Sequence, residues 1–206
     1  MLMSDIALHV ATLEPRYLAA AERRVERLLG KADEAHAMPD GSQAGGRFRR
    51  WETPGVSLPA AALAEFAASV PEHPHTPRAK EAVGAFLDAR VEAARADPFG
   101  LTPPAAGVAP GEVAMRRAEE AWLALAARRV TSRNEYVELA TDALNWLLGL
   151  NPSNTCLLEG AGSRTGGRGA SGKAPAPQGA LVSPEAPADI PGIGAVGAYL
   201  AAVALV

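Results

Sequence analysis

The segment Ser132–Pro152 reads SRNEYVELATDALNWLLGLNP and contains the clearest helix of the sequence. Ser132 and Glu135 have the spacing of a capping box, which predicts that a helix begins there. The apolar residues that follow recur every three or four positions, as one face of a helix does: Tyr136, Leu139, Ala140, Ala143, Leu144, Leu147 and Leu148. Gly149 and then Pro152 predict its end. This stripe is too apolar to face water, so the helix must pack against others.

The same periodicity recurs along the chain, while apolar residues almost nowhere alternate with period two. The fold class predicted from this pattern is all-α. The predicted helices are 2–13, 15–29, 58–70, 77–96, 111–129, 133–148 and 192–206. Irregular loops are expected at about 35–59 and about 160–187, where Gly, Pro and polar residues cluster. We expect a single domain over residues 1–206.

Two of these helices share a pattern, which indicates an internal repeat. Aligning Tyr17 with Tyr136 also aligns an alanine, two leucines and a glycine further along each helix. Each helix follows a short polar break and another apolar helix. The repeated unit is therefore predicted to be a helical hairpin, and such hairpins stack into a bundle, a solenoid or a closed ring.

Composition excludes several classes of protein. The chain has 206 residues, 48% hydrophobic and 21% charged, with a formal net charge of −3. That balance excludes a collagen and a disordered polyelectrolyte, and the lack of basic excess predicts no nucleic-acid partner. Cys156 is the sole cysteine, so no intrachain disulfide can form. We expect its thiol to be buried and inert.

Targeting signals are not evident. Residues 1–5 lack the pattern of a signal peptide, so a cytoplasmic location is the default expectation and the compartment is left open. Residues 190–206 carry no charge, but a span needs about 20 apolar residues and Pro191 interrupts this one. We expect a buried helix end there, with a tail anchor as the alternative, and no membrane partner.

Motifs for metals and nucleotides are incomplete. Residues 167–174 imitate a phosphate-binding loop, but Ala174 stands where a magnesium-binding Ser or Thr is needed. His73-Pro74-His75 offers two imidazoles, yet no cysteine or acidic cluster has matching spacing in the sequence. We therefore expect an interhelix loop there, and no metal or cofactor. Trp51 is the best candidate for stacking on a sugar, and most acidic residues are expected on solvated helix faces.

The stretch Ala143–Ser163 resembles the C-terminal region of family 9 glycoside hydrolases, the cellulase-type six-hairpin glycosidases. In that family a helix ends in a Leu-Gly-x-Asn-Pro turn, here Leu148–Pro152, and an extended segment leads to a Gly-x-Gly, here Gly160–Gly162. Residues 2–18, 97–100 and 197–202 are also similar, in family order. The resemblance implies an (α/α)6 toroid that hydrolyses β-glycosidic bonds with inversion. Seven helices cannot close a ring of twelve, so the chain looks like its C-terminal half, a partial toroid.

The resemblance departs from the family pattern at the catalytic residues. No counterpart exists for the family's Asp-x-x-Asp motif, which holds the base that activates water. Counting back from the final helix leaves Asp189 and Glu185 as stand-ins for the general acid. Arg164 and Arg168 lie where the family has a sugar-binding His-His-Arg. With Trp51 they complete the predicted substrate-binding set.

The functional expectation is therefore a family 9-like glycoside hydrolase, linked to β-glycosidic bonds in oligo- or polysaccharides and inactive as this chain alone. Inverting hydrolysis has no route without a base. A second chain that completes the toroid is one expected partner, and a remnant without activity is another reading. The alternative function is a non-catalytic helical carbohydrate-binding or protein-interaction module.

Overall fold

The computed structural model describes residues 1–36, 59–102, 110–158 and 203. Within these ranges there are six helices and no strand: α1 Leu2–Thr12, α2 Pro15–His36, α3 Pro59–Ser69, α4 Thr76–Ala94, α5 Pro110–Thr131 and α6 Glu135–Leu147. The all-α prediction is confirmed. The loop expected at 160–187 lies outside the described residues, as do most of the loop at 35–59 and all of the final helix except Val203.

The helices begin and end close to the predicted residues, with one clear difference. Helix α2 continues to His36, although the sequence prediction ended it at position 29. Gly30, the glycine that aligns with Gly149, does not end the helix: a Cβ there would meet no atom within 4 Å, and its backbone is not left-handed. A glycine in an open helical position costs only about 1 kcal/mol relative to alanine, which the helix-forming residues after it can offset.

The predicted capping box is wrong. Helix α6 begins at Glu135 with Asn134 as its N-cap residue, and no side chain caps it. Ser132 instead has a left-handed φ of 57°, and its N–H donates to the Arg128 carbonyl at 2.9 Å. Ser132 therefore ends α5 rather than starting α6, because its backbone is already committed to the preceding helix.

The helices that precede the two aligned tyrosines, α1 and α5, end in the same way. Leu13 and Ser132 occupy equivalent positions, each four residues before the aligned tyrosine, and their φ angles are 58° and 57°. Each donates its N–H to the carbonyl four residues earlier, at 2.7 and 2.9 Å. The threonines before them, Thr12 and Thr131, also hydrogen-bond the carbonyl four residues earlier, at 2.7 and 2.8 Å. The two helix-to-helix links are thus built alike.

The chain divides into two compact units, residues 1–88 with 126–132 and residues 89–125 with 133–206. In the first unit, α1, α2 and α3 pack on one another. Helix α2 contributes Ala21, Val25 and Leu29, which are spaced by four residues and are almost completely buried. This spacing places them on one face of the helix.

The core of the second unit contains the stripe of α6 that the sequence predicts. Tyr136, Leu139, Ala140, Ala143 and Leu147 are all buried, whereas Leu148 is 48% exposed. Leu147 packs with Leu157 and with two alanines of α5. The stripe therefore ends one residue earlier than predicted, because the helix does.

A tight turn follows α4, near the position where the sequence predicts that helix to close. The Asp97 carboxylate accepts hydrogen bonds from the N–H groups of Phe99 and Leu101, at 2.8 and 3.4 Å. Gly100 has φ 67°, and a Cβ there would collide with the Asp142 carboxylate. The turn buries Leu101 in the second unit. Glycine is required both by the backbone and by the lack of space.

Candidate functional site

The second unit contains a cluster of charged side chains that is largely shielded from water. It consists of Arg90 from α4 and Arg116, Arg117, Glu119 and Glu120 from α5, and we call it the Arg/Glu cluster. Glu120 is only 4% exposed and Arg117 only 8%. Charged groups are rarely buried unless they are paired, so the contacts of these two residues explain the cluster.

Glu120 is the centre of the cluster. Its carboxylate accepts a hydrogen bond from Arg117 Nη1 at 2.8 Å and another from Arg90 Nη1 at 3.2 Å. Arg117 and Glu120 are three residues apart, so the helix itself places them side by side. Arg90 comes from a different helix. Two guanidinium groups on one buried carboxylate offset the cost of removing it from water.

Glu119 differs from Glu120 in its environment. Burial raises the pKa of the Glu119 carboxyl from its ordinary value of 4.5 to about 7, although the charges of Arg116 and Arg90 pull it down. A carboxyl group that titrates near neutrality can donate or accept a proton under ordinary conditions. Two adjacent glutamates in one cluster thus have different environments, a pattern that recurs in acid and base sites.

An aromatic face lies against the cluster. The Arg117 guanidinium carbon lies 5.8 Å from the centroid of the Trp146 ring, within reach of a cation–π contact. Trp146 is half-buried and packs against the small apolar group that includes Leu147 and Leu157. Trp122 packs against the same group. Both tryptophans therefore contribute to the core, and both keep part of their surface in water.

The turn after α6 fixes the chain beside Trp146. Gly149 has φ 126°, and Asn151 is 7% exposed. The Asn151 side-chain amide donates to the carbonyls of Trp146 and Thr155, both at 2.8 Å. Its oxygen accepts hydrogen bonds from the Ser153 hydroxyl at 2.7 Å and from the Thr155 N–H at 3.3 Å. The Leu-Gly-x-Asn-Pro motif is therefore a turn organised by its asparagine.

The segment after this turn returns to the helix. The Leu157 N–H donates to the Leu147 carbonyl at 2.8 Å, and Leu157 is completely buried. Cys156 is also buried, with a free thiol, as predicted from the sequence. The motif thus leads the chain from the end of α6 back onto the core of its own unit.

The site residues predicted from the sequence lie outside the described residues. These are the general-acid candidates Asp189 and Glu185 and the sugar-binding candidates Trp51, Arg164 and Arg168. They therefore stay predictions. The imitation of a phosphate-binding loop at 167–174 also lies outside the described ranges.

The Arg/Glu cluster was missed from the sequence, where acidic residues were expected on solvated faces. That expectation is wrong for Glu120. The pair Arg117 and Glu120 was visible as an i, i+3 spacing on a helix. Arg90 was not, because it comes from a different helix and only the fold brings it to the carboxylate.

No helix in the described part of the chain is long and apolar enough to cross a membrane. As the side chains lie, no three His, Cys, Asp or Glu residues within the described ranges are arranged to hold a metal ion. Comparison with protein-family models, with curated proteins and with solved structures finds no match.

Proposed function

We propose that the chain is a helical protein of the six-hairpin glycosidase type that binds β-linked oligo- or polysaccharides and does not hydrolyse them by itself. The observation that carries the proposal is the contact of Arg117 with both the Trp146 ring and the Glu120 carboxylate. Saccharide sites combine an aromatic face, which covers the apolar face of a sugar ring, with a few charged groups that hydrogen-bond its hydroxyls. Trp146 provides the aromatic face, and the partly exposed members of the cluster, Arg90, Arg116 and Glu119, provide the charged groups. Glu120 and Arg117 are buried behind them.

The proposed architecture is a stack of antiparallel helical hairpins that forms part of an (α/α)6 toroid. The packing of α1 on α2 supports it, as does the matching construction of the links at Leu13 and Ser132. The asparagine-organised turn after α6 gives the motif behind the family resemblance a definite structural role. These observations support a repeat of hairpins, which in this family surrounds a sugar cleft.

Hydrolysis would need two carboxyl groups with different tasks. Glu119 has the pKa of a group that can protonate a leaving oxygen. Glu120 is held by two guanidinium groups and is nearly inaccessible, so it is not free to activate water. The missing base is the reason that the proposal stops at binding.

The test is isothermal titration calorimetry of the full chain with cellohexaose, with maltohexaose as the α-linked control, alongside a reducing-sugar assay. We expect binding of the β-linked ligand and no release of sugar. Trp146→Ala should weaken binding at least about tenfold. Trp122→Ala is the matched control, because Trp122 packs on the same apolar group without a contact to Arg117 in the described residues.

The proposal is overturned if the chain binds neither ligand or if the two tryptophan variants lose affinity equally. Equal loss would mean that the substitutions act through the core and not through a sugar contact. Sugar release by the chain alone would overturn the statement that it binds without hydrolysis. Circular dichroism of each variant shows whether the helices are retained.

A second candidate is a protein-interaction module, and exposed apolar side chains favour it. Leu13 is 76% exposed, Val10 57% and Leu8 42%, all on or just after α1. Such residues are what a second chain that completes the toroid would cover. Light scattering tests this: a defined oligomer that Leu13→Glu dissociates supports the module, and a monomer excludes a second copy as the partner.

A further inference from the structure

Two histidines in the loop between α3 and α4 are hydrogen-bonded to α2 in the first unit. His73 Nε2 lies 2.7 Å from Glu22 Oε1, and His75 Nε2 lies 3.3 Å from Glu26 Oε1. The side chain of His73 is only 11% exposed, and its ring lies edge-on to the Phe66 ring of α3, with 5.0 Å between the centroids. The His73 ring therefore contacts two helices as well as its own loop.

The hydrogen bonds of His73 determine where its proton lies. Its Nδ1 accepts a hydrogen bond from the His75 N–H at 3.2 Å, so Nδ1 carries no proton. The neutral ring then carries its proton on Nε2, from which it donates to the Glu22 carboxylate. Both ring nitrogens have a partner, and the neutral form of the ring satisfies both of them.

A second proton on the His73 ring has to bind at Nδ1. There it faces the His75 N–H, and two N–H groups cannot form a hydrogen bond with each other. The effect at Nε2 is the opposite, because a charged imidazolium donates a stronger hydrogen bond to a carboxylate than a neutral ring does. Protonation therefore breaks the contact within the loop and strengthens the contact with α2.

The contact that breaks lies at the start of α4. His75 directly precedes Thr76, the first residue of that helix, and its carbonyl accepts a hydrogen bond from the Ala79 N–H at 2.9 Å. A positive charge near the N-terminus of a helix is unfavourable, because the backbone N–H groups there carry partial positive charge. Acidification thus weakens the first turn of α4 in two ways, through the lost hydrogen bond and through the added charge.

The charged groups around the two rings come from several elements. Glu22 and Glu26 of α2 contact the rings, and their side chains are 41% and 61% exposed. The centroids of the two rings are 5.3 Å apart, so each ring repels the other when both are charged. On α3, Glu65 is paired with Arg129. The loop and the first turn of α4 add the exposed residues Glu72 and Arg78.

We propose that His73 is a pH switch, which gives up its hydrogen bond to the His75 N–H and strengthens its bond to Glu22 when the solution becomes acidic. Histidine is the side chain whose charge ordinarily changes between pH 5 and pH 8. In the neutral form the ring holds the loop to the start of α4. In the charged form the loop stays attached to α2, and the first turn of α4 loosens. None of these residues belongs to the Arg/Glu cluster.

The experiment is nuclear magnetic resonance of the full chain, labelled with nitrogen-15, from about pH 8 to about pH 5. The nitrogen chemical shifts of His73 should report the Nε2–H form at the alkaline end and a doubly protonated ring at the acidic end. The His75 amide signal should shift with the same midpoint. Its hydrogen exchange, corrected for the intrinsic effect of pH, should become at least about fivefold faster.

Two histidine variants separate this switch from a general effect of acid. His73→Gln cannot take up a proton and should remove the pH dependence of the His75 amide. His9→Gln is the matched control and should leave that dependence unchanged, because His9 lies on α1 with its ring near the Glu14 carbonyl. Circular dichroism shows whether each variant keeps its helices.

Three results would overturn the proposal. The first is a His73 ring that carries its proton on Nδ1 at alkaline pH, which needs no variant to detect. The second is a His75 amide that does not follow the titration of His73. The third is a His75 amide that responds to pH as strongly in His73→Gln as in the parent chain.

Discussion

Replacing Asn151 should destabilise the second unit more than any exposed substitution near it. The side chain makes four hydrogen bonds, two as donor to the Trp146 and Thr155 carbonyls and two as acceptor from Ser153 and Thr155. It is 7% exposed, so water cannot replace most of these bonds. At about 0.5–1.5 kcal/mol for each of the four bonds, Asn151→Ala should lower the free energy of unfolding by about 2–6 kcal/mol.

Asn151→Asp separates hydrogen bonding from side-chain volume. The carboxylate keeps the shape of the amide but has no N–H to donate, so it would face the Trp146 and Thr155 carbonyls as a third acceptor. We expect it to be at least as destabilising as alanine. Urea denaturation followed by far-ultraviolet circular dichroism gives the values, and Asn145→Ala, an exposed change on α6, is the control. A loss below about 1 kcal/mol for alanine, or a neutral aspartate, would refute the reasoning.

Three further predictions concern the second unit. Glu120→Gln should cost about 3–5 kcal/mol in urea denaturation, because it leaves the buried Arg117 guanidinium without its carboxylate. The exposed Glu92→Gln should cost less than about 1 kcal/mol. Burial raises the pKa of Glu119 to about 7 in the folded chain, so the free energy of unfolding should fall as pH rises from about 4.5 to about 7. Glu119→Gln should make the free energy of unfolding less dependent on pH over this range. An unchanged pH dependence in that variant would contradict the burial argument. Gly100→Ala should lower the free energy of unfolding by more than about 1 kcal/mol, because of the positive φ of Gly100 and the collision of the new Cβ with Asp142. Adding Asp142→Ala to that variant should restore the part of the loss that comes from the collision and leave the part that comes from the φ angle.

The sequence predicts the helices well because their signals are local. Apolar spacing located α6 from residues that lie within one segment, and the turn after it was visible in Gly149 and Pro152. The predicted capping box is wrong because Ser132 can either begin α6 as an N-cap residue or end α5. Its backbone ends α5 in a left-handed conformation, and no sequence rule assigns that role to a serine in preference to a cap.

The candidate sites were harder to predict because their contacts join distant parts of the chain. Arg90 meets Glu120 across 30 residues, and His73 meets Glu22 across 51. The sequence predicts an interhelix loop at His73-Pro74-His75, but it does not reveal that the two histidines hydrogen-bond Glu22 and Glu26 in the fold. The pKa of Glu119 likewise depends on burial, which spacing alone does not reveal.

The buried alanines of α3 limit where a new binding cavity can form in this helix. Five of its eleven residues are buried alanines: Ala60, Ala61, Ala62, Ala64 and Ala67. Side chains this small let neighbouring backbones approach closely and leave no volume that a truncation could open. At these five positions a cavity cannot be made by shortening the side chain, and a larger residue would force the backbones apart. A cavity in this helix can come only from its two large buried side chains, Leu63 and Phe66. New binding sites are therefore more readily made at those two positions or at the ends of the helix than at the alanines.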